Sequence, residues 1–144
     1  MIEQDTVKLL RECDTGVTMR ISSIDDDVEQ VHSQDLRQRL TTCRTAHKEL
    51  ESQIESQLTR FQDQGKDPNP VIKGMSWMKT NMKLAMDDSD NTIADLMTDG
   101  CNMGVKSLNM YLNRYKAADE RSKDIAKRLI NLEEKLAVDI RQFL

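Results

Sequence analysis

Apolar residues recur along the first thirty positions every three or four residues: Val7, Leu10, Val17, Ile21, Ile24, Val28 and Val31. Asp14 fills the one gap in that series, and charged or hydroxyl side chains occupy the other positions. Such a period predicts one amphipathic helix over 3–32. The stretch "HSQD" then supplies Ser33 and Asp35 as capping candidates for a second helix over 35–64. Its stripe is Leu36, Leu40, Cys43, His47, Leu50, Ile54, Leu58 and Phe61. So short a connection requires two antiparallel helices. Both prolines and a glycine lie in "DQGKDPNP", which ends the second helix. Ile72, Met75, Met78 and Met82 then predict a short helix over 71–86, with Asp90 as the candidate N-cap of a third long helix over 91–117. A fourth, over 119–144, carries Ile125, Leu129, Leu132, Leu136, Ile140 and Phe143. The expected fold is all-α: a four-helix bundle, one domain over 1–144, with a short extra helix in the long connection between helices two and three. The alternative is a single continuous helix over 71–117 in an elongated coiled coil.

Composition agrees with helices and narrows the function classes. The 144 residues include nine Met, five Gly and two Pro, and aromatics are 3%. That is thin for a β-sandwich and for a base-stacking surface. Net charge is −4, from 21 basic and 25 acidic side chains that alternate along the chain. No basic stripe runs through the sequence, so nucleic acid is not an expected partner. No apolar run approaches the ~20 residues of a membrane span, and the charged N-terminus lacks the apolar core of a signal peptide. Cys13, Cys43 and Cys101 are odd in number and lack CxxC spacing. Reduced thiols and a cytoplasmic location are therefore expected.

The two halves resemble one another faintly. "CDTGV" at 13–17 reads against "CNMGV" at 101–105, and "HKELESQI" at 47–54 against "EEKLAVDI" at 133–140. This alignment pairs Asp14 with Asn102 and His47 with Glu133. At ~1.5 Å per helical residue, a crossover bundle would bring His47, Glu133 and Asn102 to a common level, with Asp14 nearer one end. The four residues are candidates for a polar layer in the core.

Paired antiparallel helices, the faint duplication, and Gly74 and Trp77 in the crossover together resemble the ferritin-like superfamily. The chain is particularly similar to small bacterial members whose crossover carries a short helix. The resemblance spans nearly the whole chain and implies a site for two metal ions, held by a Glu from each of two helices and a Glu-x-x-His from each of the other two. The sequence departs from that pattern. Arg44 stands three residues before His47, Leu136 three residues after Glu133, and Asp14 and Asn102 at the positions of the remaining carboxylates. The one Glu-x-x-His, Glu29 to His32, lies at a helix end with Val31 on the stripe instead.

His47 is thus expected as a buried imidazole satisfied by Glu133, since burying it unpaired would cost about 1–3 kcal/mol. Cys43 stands four residues before it on the same face, but with no cleft expected nothing points to nucleophilic catalysis. Gly100 and Gly104 form a small-xxx-small pair that calls for a close neighbour. The expected function is non-enzymatic: a ferritin-like bundle without cofactor, acting through its surface, by self-association or by binding another protein. The alternative is a metal-binding or redox protein that holds iron, zinc or manganese through His47, Glu133 and Asp14.

Overall fold

In a computed structural model, which describes residues 2–61 and 89–144, four long helices account for most of the described residues. Helix α1 spans Ile2–Asp27, α2 Gln34–Arg60, α3 Asp90–Arg114 and α4 Glu120–Asp139; short 3₁₀ turns follow α1 at Val28–Gln30 and α4 at Arg141–Phe143. Among the described residues there is no strand, and no helix is long and apolar enough to cross a membrane. The expected short helix over 71–86, with Met75, Trp77, Met78, Met82 and Met86, lies outside the described residues.

Local chemistry sets the helix ends. Regular α1 stops at Asp27 rather than 32, because the chain tightens into a 3₁₀ turn and leaves it extended at Val31. Ser33 caps α2 by accepting from the Leu36 amide at 3.2 Å, while Asp35 pairs with Arg39. At α3 the cap is Ser89, which accepts from the Thr92 amide, and not Asp90. Asp90 acts further afield: its two carboxylate oxygens accept from the His32 and Ser33 amides, both at 2.8 Å. Helix α3 ends at Arg114, short of the expected 117, and Asp119 caps α4 through the Ser122 amide.

Those bonds also fix the directions of the helices. Asp90 ties the start of α3 to the α1–α2 connection, where Asn91 also reaches the Phe143 carbonyl after α4. At the opposite end the Ala117 and Asp119 amides donate to Asp5 and Thr6 near the start of α1. Hence α1 and α4 run one way and α2 and α3 the other. The end of α2, with Phe61 packed beside Leu9 and Ala118, lies at the end of the bundle opposite the start of α3.

The inward seams follow a heptad more closely than the apolar positions alone indicate. On α1 a buried series runs through Thr6, Leu10, Cys13, Val17, Arg20, Ile24 and Asp27 and continues to Val31 past the helix end, with alternating steps of four and three. Of the expected stripe Leu10, Val17, Ile21, Ile24 and Val31 are buried, whereas Val7, the gap at Asp14 and Val28 lie one residue past the buried Thr6, Cys13 and Asp27. On α4 the seam is Ser122, Ala126, Leu129, Glu133, Leu136 and Ile140, with Leu132 only half-buried. The apolar core forms two clusters. One gathers Leu9, Leu10, Val17, Leu50, Ile54, Leu108 and Leu129; the other gathers Ile24, Leu36, Leu40, Ile93, Met97, Leu136 and Ile140. Each fully buried Leu or Ile contributes roughly 1.5–3 kcal/mol. In sequence, His47, Gly104 and Glu133 fall between the two clusters on their helices, and Arg20 lies one residue before Ile21, the last α1 member of the first cluster.

Candidate functional site

Between the apolar clusters a guanidinium, a carboxylate and an imidazole from three helices converge. Arg20 from α1 is 6% exposed, Glu133 from α4 5%, and His47 from α2 is fully buried. Arg20 meets Glu133 in a fork: Nη2 donates to Oε2 at 2.8 Å, and Nε lies 3.1 Å from Oε1 and 3.2 Å from Oε2. Such bidentate pairing is the strong form of the charged hydrogen bond. The rest of the guanidinium donates to Ser23 Oγ, to Met97 Sδ at 3.2 Å and to Cys101 Sγ at 3.4 Å.

His47 completes the cluster. Its Nδ1 lies 2.8 Å from the Cys43 carbonyl oxygen, an atom that can only accept. Its Nε2 lies 3.4 Å from Glu133 Oε1, within ion-pair distance but off the line of a hydrogen bond. A neutral ring would aim a bare lone pair at one of these two oxygens. The imidazolium alone offers an N–H to both. Burial by itself would favour the neutral ring, but the Cys43 side chain and the Glu133 carboxylate outweigh it and raise His47 to about 9. Burial would likewise push Glu133 up, and Arg20 together with His47 reverses this and holds it down at about 2. Arg20 stays charged beside Glu133 despite its burial. Burial pushes the Cys101 thiol up to about 12, so it keeps its proton. At neutral pH the layer therefore holds two cations and one anion.

The glycines on α3 make room for this pair. A Cβ on Gly100 would stand 3.2 Å from Arg20 Nη2, and one on Gly104 would stand 3.7 Å from the Glu133 carboxyl carbon. The close neighbour that the small-xxx-small spacing called for is a polar side-chain pair, not another backbone.

Of the four residues expected in a polar layer, the structure brings together His47 and Glu133. Asn102 is exposed, because its neighbour Cys101 holds the seam of α3. Asp14 is half-buried on α1, beside Cys13, which holds the seam there. It takes no part in the cluster. Arg44 turns outward and pairs with Asp25, and His32 is exposed with its amide on Asp90. The residue that sequence reasoning missed is Arg20. Its signal was present: Cys13, Val17 and Ile24 are spaced so that position 20 completes the heptad.

Chemically the layer is closed. Both Glu133 oxygens are occupied by Arg20, and a protonated His47 has no lone pair for a cation. Among the described residues no three His, Cys, Asp or Glu side chains converge as metal ligands. Cys43 Sγ lies 3.4 Å from His47 Nδ1, but that nitrogen already serves the Cys43 carbonyl. Asp27, one heptad beyond Arg20, is buried with Oδ1 unpartnered; burial and Asp26 raise it to about 6, against the pull of Arg20. The chain matches no protein-family model, and neither curated proteins nor solved structures show a significant match to it.

Proposed function

We propose that this protein is a non-enzymatic helical bundle of ferritin-like arrangement, whose interior is closed by an ion cluster and which acts through its surface. The observation that carries this reading is the Arg20 fork on Glu133 beside His47. In a ferritin-like bundle the mid-plane carboxylates and imidazoles serve as metal ligands. Here a guanidinium fills the coordination sites of the one carboxylate, and the histidine is poised as a second cation. A divalent ion at Glu133 would meet two positive charges in a medium of low polarity, where such repulsion is severe. The helix directions, with α1 and α4 opposed to α2 and α3, support the ferritin-like arrangement. The burial of Arg20, Glu133 and His47 supports a structural role for the cluster.

Elemental analysis of the purified protein, with thermal unfolding in the presence and absence of a chelator, tests the reading. The expected result is no stoichiometric metal and an unchanged melting temperature. Stoichiometric iron, zinc or manganese that is lost in His47→Ala would overturn it in favour of a metal-binding protein with a non-standard site.

A further inference from the structure

The outer surfaces of the two hairpins are unlike. Every large apolar side chain exposed among the described residues belongs to the second hairpin: Met103 is 69% exposed, Val138 55%, Leu144 54% and Met110 44%. The described side chains of α1 and α2 include none. Met103 and Met110 are two turns apart on one side of α3, and Val138 lines a shallow groove between α3 and α4. That groove has Cys101 and Glu133 in its floor and Lys106, Glu134 and Arg141 among its walls.

The charges along α4 decide what fits there. Glu134 and Arg141 are exposed and form no ion pair with another described residue, whereas Lys135 and Arg39 are both engaged by Asp139 nearby. Ala137 and Val138 lie midway between Glu134 and Arg141. A second copy of the same strip, laid antiparallel about that midpoint, sets each Glu134 against the other copy's Arg141. It also sets each Ala137 against the other copy's Val138. The strip is thus its own electrostatic complement, as a two-fold interface requires. The small Ala137 lets two helices approach closely.

We propose that the protein forms a two-fold homodimer through α4, with Ala137 and Val138 at its centre and reciprocal Glu134–Arg141 ion pairs at its edges. The proposal rests on the reading of a bundle that acts through its surface and names that surface and its partner. The occupant is a second copy, because the strip complements itself in both sign and spacing.

Sedimentation velocity of the full chain over roughly a hundredfold range of concentration tests it, since dimerisation responds to concentration. The wild type is expected to pass from monomer to dimer. E134R and R141E each turn two attractive contacts into repulsive ones and should weaken the dimer about tenfold or more. The double variant E134R/R141E exchanges the signs and should restore it, and V138E should abolish it. All three positions face solvent, so circular dichroism should show an unchanged fold. A wild type that stays monomeric, a dimer indifferent to these changes, or a double variant that fails to recover would overturn the proposal. A metal-free monomer would sink this inference alone; stoichiometric metal would sink the preceding reading whatever the mass.

Discussion

Two kinds of core layer lie side by side in this bundle, and their response to substitution should be opposite in kind. The apolar clusters around Leu129 and around Leu36 are filled with aliphatic side chains, where each residue contributes by its own burial. The layer between them is a mutual arrangement: Arg20, Glu133 and His47 are tolerable only because each compensates another. In the first kind, loss scales with the volume removed. In the second, loss of one member costs far more than loss of all three.

The largest effect should therefore come from removing the shared anion. Glu133→Ala leaves two buried cations without a counter-charge and should destabilise by about 3–5 kcal/mol in denaturant unfolding. The apolar control, Leu129→Ala, should cost roughly 2–5 kcal/mol through cavity formation. The contrast lies in the compensated replacement. Arg20→Met, Glu133→Leu and His47→Leu together should be near neutral or stabilising, by up to about 4 kcal/mol. No combination of truncations around Leu129 should recover stability in that way. Equal losses for the single and triple changes in the ion layer would erase the distinction.

The pH dependence comes next in size. A folded value for His47 of about 9, against an ordinary 6.5, means that its contribution is fully present below 6.5. It is lost as pH rises through 9, at a cost of about 2–4 kcal/mol. Glu133 behaves in the opposite sense: held at about 2 against 4.5, its contribution is present above 4.5 and fades as pH falls toward 2. Asp27 adds a smaller gain on the acid side, since its raised value favours the protonated form in the fold as pH drops below about 6. Stability should thus peak somewhat below neutrality. Unfolding measured from pH 5 to pH 10 should show the alkaline loss in the wild type, and Glu133→Gln should diminish it.

The smallest effects separate the two glycines of α3. Gly104→Ala meets only ordinary contact with Glu133 and should gain about 0.5–1 kcal/mol from helix propensity. Gly100→Ala presses on Arg20 Nη2 at 3.2 Å, a group pinned by Glu133 and Cys101, so it should gain less or lose. Thermal unfolding of the pair reads the difference; an equal gain in both would show that the guanidinium yields freely.

How much of this was legible in the sequence depended on polarity. Helix existence, the antiparallel hairpins and the cap at Ser33 followed from periodicity and a hydroxyl residue at the right place. His47 stood out because it interrupted a clean apolar stripe. Arg20 did not, because Ile21 beside it offered an apolar residue, and the line through Val7, Ile21 and Val28 looked continuous. The true seam, one residue earlier, runs through Thr6, Arg20 and Asp27, all buried. The same bias set Leu132 before Glu133 on α4. A stripe built from hydrophobes alone is pulled off the heptad wherever the core holds a polar residue, so the polar layer is where such reading goes astray. The part played by Asp90 was hidden for a different reason: its partners, His32 and Ser33, are distant in sequence.

The ion layer depends most directly on the charge of one ring. Titration of the His47 imidazole by NMR in the wild-type protein should give a value near 9, with the ring protonated at both nitrogens at neutral pH. A ring that is neutral at pH 7, with a value at or below the ordinary 6.5, would contradict the ion cluster and return His47 to the list of possible ligands.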